Sequence, residues 1–144
     1  MCKKLLASLL SLTLMFMLCC TAFAAEVSAV EVIDCGNGFT VEITSQSIYS
    51  TRSSTVAKTK TATVKQDGVK IGEFVLIGKF EYDGTTAKAV NADCDATSYN
   101  GWGYKNVSCS YSGAKVSGKC TFYSGSLSKS VSLSLTCSPS GTIS

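Results

Sequence analysis

The chain has 144 residues, with 8 Cys, 12 Gly, 1 Pro and no His, and its 13 basic and 10 acidic side chains leave a formal charge of +3. That length holds one domain. The absence of His excludes Ser-His-Asp and Cys-His catalysis and any His-ligated metal, and a small, unclustered charge gives nucleic-acid binding no support.

The chain starts with a positive pair, Lys3-Lys4, an apolar run from Leu5 to Cys20, and then Thr21-Ala22-Phe23-Ala24-Ala25. Charged start, apolar centre and small-x-small ending are the layout of a secretory signal. Residues 1–24 are therefore expected to be removed after Ala24, leaving 25–144 as a secreted domain. The bulky Phe16-Met17-Leu18 before Cys19 and Met17-Leu18-Cys19 before Cys20 do not fit a lipoprotein site. Cleavage removes two of the 13 basic residues and none of the 10 acidic ones, so the mature chain is close to neutral. It is large enough to bury about two-thirds of its surface without depending on disulfides.

The mature region alternates apolar and polar residues with period two, the pattern of half-buried strands. Val27–Ile33 and Phe39–Ile43 flank the turn-rich Cys35-Gly36-Asn37-Gly38. The hydroxyl-rich Ser45–Thr55 reads as a loop, which divides the chain into an N-terminal hairpin and loop (25–55) and a main sheet (56–144). Asp67-Gly68 separates Thr59–Lys65 from Val69–Ile77, Asp83-Gly84 separates Phe74–Tyr82 from Thr86–Ala92, and Asn100-Gly101 separates Asp93–Tyr99 from Trp102–Tyr111. Such pairs favour two-residue type I′ hairpins, whose central residues need positive φ. A type I′ turn at Asp83-Gly84 would set Tyr82 opposite Thr85 and Phe80 opposite Ala87. Phe74, Leu76, Phe80 and Tyr82 would then share one face, with Gly78 leaving room for a close approach.

The segment Ser112-Gly113-Ala114-Lys115 joins Val107–Tyr111 to Val116–Tyr123, and Val131–Cys137 closes the chain with apolar residues on one face and hydroxyls on the other. No helix is expected past the leader. The fold expected is all-β, an antiparallel meander forming a β-sandwich, with a small barrel as second choice.

Export would carry Cys35, Cys94, Cys109, Cys120 and Cys137 into an oxidising compartment. A hairpin centred between Ala114 and Lys115 would place Cys109 directly opposite Cys120, and a cross-strand disulfide is expected there. One cysteine of the remaining three must stay unpaired, which makes a disulfide dimer available. No Cys-x-x-Cys pair supports a zinc site.

Glu42, Glu73, Glu81, Asp93 and Asp95 are the carboxylates from which a glycosidase pair would have to come, but nothing in the sequence brings two of them together in different environments. Asn91, Asp93 and Asp95 share a strand face, and an extended strand does not wrap a calcium ion. Tyr99, Trp102 and Tyr104 surround the Asn100-Gly101 turn and form the candidate binding surface, since exposed rings stack on sugars or anchor a protein. Cross-strand packing around the turn explains the same rings without any ligand.

Two stretches, Lys70-Ile71-Gly72 through Phe80-Glu81-Tyr82-Asp83-Gly84-Thr85-Thr86-Ala87 and Leu133-Ser134-Leu135-Thr136-Cys137-Ser138-Pro139-Ser140-Gly141-Thr142-Ile143-Ser144, together with the leader, resemble uncharacterised small secreted proteins of Gram-positive, often anaerobic gut bacteria. The resemblance implies an exported β domain and carries over no catalytic residue. The functional expectation is a non-catalytic extracellular binding module for a glycan or a surface protein. It needs no cofactor, no nucleic acid, and no membrane once the leader is gone. The alternatives are a structural surface or matrix protein and a carboxylate-dependent hydrolase.

Overall fold

The computed structural model describes residues 30–49 and 54–144. The leader, its cleavage site and the start of the Val27–Ile33 segment lie outside the described residues. Eight strands follow in chain order: β1 (Glu31–Asp34), β2 (Phe39–Tyr49), β3 (Thr55–Gln66), β4 (Val69–Tyr82), β5 (Ala87–Ser98), β6 (Gly103–Ser112), β7 (Lys115–Ser124) and β8 (Leu127–Thr136). They form two antiparallel meanders, a five-stranded sheet in the order β1-β2-β3-β4-β5 and a three-stranded sheet in the order β6-β7-β8. The all-β expectation holds, and neither sheet closes into a barrel.

Period-two alternation supplies the apolar faces that hold the layers together. On β4, Phe74, Leu76 and Phe80 are fully buried, and on β7, Val116, Cys120 and Phe122 are too. Val131, Leu133 and Leu135 of β8 and Val56, Ala62 and Val64 of β3 complete the centre of the core. Burying each such Val, Leu or Phe contributes about 1.5–3 kcal/mol. Glycines on the inner faces let the layers interlock, because Phe122 rests on Gly72 and Leu135 on Gly78. The expected face of Phe74, Leu76 and Phe80 around Gly78 is observed, with Tyr82 half-buried at its end.

Three local expectations are corrected. Ser45–Tyr49 is strand, because β2 pairs with β3 along its whole length, as in Ser45 with Lys60 and Ile48 with Ala57. The N-terminal hairpin is therefore continuous with the main sheet, and the hydroxyl-rich sequence concealed a strand. The Asp83-Gly84 loop spans four residues, with Tyr82 opposite Ala87 and Phe80 opposite Ala89. Asp83 explains the longer loop: its carboxylate accepts from Thr85 N at 2.8 Å, Thr86 N at 2.6 Å and Thr86 Oγ1 at 3.0 Å, an Asx turn in place of type I′.

The third correction concerns Asn100-Gly101. Both residues have positive φ, as expected, but the turn carries the chain from one sheet to the other and makes no hairpin. Tyr99 N donates to Ile71 O at 2.9 Å and Asn100 Nδ2 to Lys70 O at 2.8 Å, which keeps the entry side on β4. Trp102 on the exit side turns inward against the core. The crossing places the two sheet edges β5 and β6 together, and at their far end Ala89 N donates to Gly113 O at 2.7 Å.

At the end of the outer edge of β8, residues 143–144 fold back onto the chain, with Ile143 bridged to Cys137. Thr136 and Ser144 exchange backbone hydrogen bonds at 2.9 and 3.0 Å. From β3, the core-facing Lys58 and Lys60 reach across to the carbonyls of Ile143 and Ser134 at 2.8 and 3.4 Å.

Candidate functional site

The outer face of the three-stranded sheet is built from five cross-strand rows. They are Ser112, Lys115 and Thr136; Ser110, Ser117 and Ser134; Ser108, Lys119 and Ser132; Lys105, Thr121 and Ser130; and Gly103, Tyr123 and Ser128. Alternation sends Val116, Gly118, Cys120 and Phe122 of β7 into the core and leaves Lys115, Ser117, Lys119, Thr121 and Tyr123 outside. Apart from one Tyr and one Gly, every position in these five rows is a hydroxyl residue or a lysine; the unpaired Asn106 and Val107 of the β6 bulge border the hollow beside Lys119. Shallow open hollows on either side of Lys119 are bordered by Ser108, Ser132, Ser117 and Thr121. Thr121 Oγ1 and Ser130 Oγ lie 2.9 Å apart and fix one row. Lys105 Nζ stands 5.1 Å from the centre of the Tyr123 ring, a cation–π contact at one end of the face.

The acidic residues are confined to the first part of the chain, whereas lysines occur on both sheets. All ten acidic residues of the chain precede position 96. From Gly103 to the C-terminus the charged side chains are Lys105, Lys115, Lys119 and Lys129. The five-stranded sheet carries the carboxylates, and three of the five singled out are held by lysines. Glu42 pairs with Lys65 at 2.6 Å, Glu73 with Lys70 at 2.6 Å and Glu81 with Lys88 at 3.1 Å. Asn91, Asp93 and Asp95 stand exposed on one face of β5. Each of these two aspartates accepts a hydrogen bond from the next backbone N–H, Cys94 N at 2.9 Å and Ala96 N at 2.8 Å. No group of three or more metal-binding side chains occurs among the described residues.

The aromatic residues around Asn100-Gly101 divide between core and surface. Trp102 is half-buried and meets Phe39 edge-on, with ring centroids 6.0 Å apart and an interplanar angle of 90°. Tyr99 is exposed beneath Lys70 Nζ, 4.4 Å from its ring centre. The hydrogen bond to Glu73, above all, raises the Lys70 pKa and keeps this cation charged. Tyr104, 46% exposed, sits opposite Phe122 on the core side of β6. Only two rings of the expected triplet therefore present themselves to solvent.

The cysteine expectation is also corrected. Ser112 pairs with Lys115, so the β6–β7 turn centres on Gly113-Ala114 and Cys109 faces Gly118. Gly113, with φ of 55°, takes the first central position, the place glycine holds in a type II′ turn. A bulge at Asn106 then shifts the register further along β6. Cys109 and Cys120 are thus not cross-strand neighbours, and all five cysteines among the described residues are free thiols. Burial pushes the Cys120 thiol up to about 11 and raises that of Cys137.

Comparison with protein-family models, curated proteins and solved structures finds no match for this chain. The confinement of the acidic residues was present in the sequence, as the complete lack of Asp and Glu after Asp95, but only the sheet topology turns the acid-free stretch into a face.

Proposed function

We propose that this protein is a non-catalytic extracellular binding module whose binding surface is the outer face of β6, β7 and β8. Its ligand is an anionic glycan. The observation that carries this reading is the composition of that face's five cross-strand rows: hydroxyls and lysines, with no carboxylate and no aliphatic side chain among them. A protein-binding patch would be expected to carry a desolvated aromatic or apolar centre. A flat array of hydroxyls instead matches a polymer that itself presents hydroxyls, and Lys105, Lys115 and Lys119 supply ammonium donors for its carboxylate or sulfate groups. Tyr123 offers one ring for stacking at the end of the face. A leader of residues 1–24 would deliver the domain to the compartment where such polymers occur.

The test compares a polyuronate with a neutral glucan of equal length, using the mature domain and a Lys115→Gln/Lys119→Gln variant. Retention of the polyuronate by the wild type, weakened in the variant, supports the reading. Equal retention of both polymers overturns it, as does a variant that binds like wild type. Self-association in place of glycan binding, the acidic sheet of one copy meeting the basic face of another, would also overturn it.

A further inference from the structure

Cys94 and Cys109 occupy matching positions on the two strands where the sheets meet. Within its own sheet Cys94 pairs with Leu76, and Cys109 pairs with Gly118. Leu76 and Gly118 touch across the core, since a Cβ on Gly118 would stand 2.8 Å from Leu76 Cδ1. Stepping from each of these to the adjoining edge strand reaches Cys94 on one layer and Cys109 on the other. Both cysteines are half-buried and pack against the core. The layers are drawn together on either side of them, by the Tyr99–Trp102 turn at one end and by the Ala89 N to Gly113 O hydrogen bond at the other.

We propose that Cys94 and Cys109 are an oxidisable dithiol that closes into a disulfide across the β5–β6 edge, joining the two sheets. The oxidant is a disulfide, either a small-molecule one or that of a thiol-oxidising protein. The Cys109 thiolate attacks the external S–S bond and forms a mixed disulfide, releasing one thiol. Cys94 then attacks the Cys109 sulfur, expels the second thiol and closes the bond. Two S–H bonds and one external S–S bond break, and one internal S–S bond forms. The two electrons and two protons leave with the external sulfurs as two thiols.

Two observations fit this order of events. Burial, then a hydrogen bond and charge from Cys109, then charge from Asp93 and Asp95, push the Cys94 thiol up to about 12. Cys94 is therefore the poorer first nucleophile, which leaves the opening attack to Cys109, and closure runs through the small thiolate fraction of Cys94; Cys109 is the cysteine with which Cys94 interacts. The closed bond requires Cα atoms within about 4.4–6.8 Å; no cysteine pair among the described residues stands at disulfide distance in the reduced protein, so closure draws the β5 and β6 edges together.

The experiment treats the folded domain with oxidised glutathione, blocks remaining thiols with an alkylating agent and maps peptides without reduction. The expected product is a cross-link between the peptides carrying Cys94 and Cys109, lighter by two hydrogens and fully reversed by dithiothreitol. Cys94→Ser should leave Cys109 as a mixed disulfide with glutathione, and Cys35→Ser/Cys120→Ser/Cys137→Ser should still form the link. Alkylation of both Cys94 and Cys109 after oxidation overturns the proposal. So does a link from either to a third cysteine, or one formed only after the circular-dichroism signal of the sheet is lost.

Discussion

Leu76 of β4 lies directly over Gly118 of β7, with its Cδ1 atom 2.8 Å from the point where a Cβ on that glycine would stand. The Phe74 ring is 3.0 Å from the same point, so both neighbours belong to the buried centre. A larger residue here cannot be relieved by a flexible surface chain. Gly118→Val should lower stability by about 1–3 kcal/mol, the usual cost of overpacking a filled core. Urea denaturation measures it, and an unchanged midpoint would mean that the sheets do not interlock at this point.

The alternation on β7 gives a paired contrast. Phe122 is fully buried on Gly72, whereas its neighbour Tyr123 is exposed on the outer face. Phe122→Ala should cost about 3–5 kcal/mol through lost burial and the cavity left behind. Tyr123→Ala should stay within about 0.5 kcal/mol of wild type. Thermal melts of the two variants check the assignment of faces, and similar losses in both would contradict it.

The strands themselves were readable because their pattern is local. Asp67-Gly68 announced a turn whose two residues both take positive φ, and the face of Phe74, Leu76 and Phe80 followed from spacing alone. Partner choice was less readable. Asn100-Gly101 has the dihedrals of a hairpin turn, but whether its strands pair depends on the distant Ile71 carbonyl and on the Phe39 ring that receives Trp102. The Cys109 register depended on one residue, Gly113, occupying the first central turn position rather than the strand position just before the turn. Ser45–Tyr49 escaped because hydroxyl side chains suit strands and loops alike. The hydroxyl and lysine face could not be seen in sequence order, since its rows combine residues from three strands.

Asp83 ties the β4–β5 loop through hydrogen bonds that only its ionised form accepts fully. Backbone donors at Thr86, then Thr85, with the Thr86 hydroxyl, lower its pKa from 3.8. A depressed folded pKa gives stability that is present above 3.8 and is lost as pH falls through the folded value. Asp83→Ala should remove that contribution, so wild type and variant should differ at neutral pH and converge in strong acid. Denaturation midpoints measured across this range provide the check, and a constant difference at every pH would contradict it.

Trp102 separates the two accounts of the aromatic set. Its edge-on contact with Phe39 at 6.0 Å places it in the packing of the sandwich, and such a pair contributes about 0.5–1.5 kcal/mol beyond area burial. Trp102→Ala should therefore lower the melting temperature, while the folded variant keeps its glycan affinity at low temperature. A fully stable variant that had lost binding would return Trp102 to the binding surface.

Lys119 is the most telling position on the proposed binding face. It lies on β7, the central strand of the three, with Ser108 and Ser132 as its cross-strand neighbours. Exposed charge pairs contribute about 0.2–1 kcal/mol each, so Lys119→Gln should weaken polyuronate binding by roughly two- to fivefold, about 1 kcal/mol at most. Lys119→Glu should weaken it further, because a carboxylate would then face an anionic chain. Raising salt should narrow the gap between wild type and both variants, since exposed charges are screened within about 10 Å at 0.1 M ionic strength. Lys79→Glu supplies the control: Lys79 is exposed on the other sheet, and reversing its charge changes the net charge equally without touching this face. Titration of all four proteins at two salt concentrations decides the matter. If Lys79→Glu weakens binding as much as Lys119→Glu, the attraction comes from overall charge, and the face of β6, β7 and β8 is not where the ligand sits.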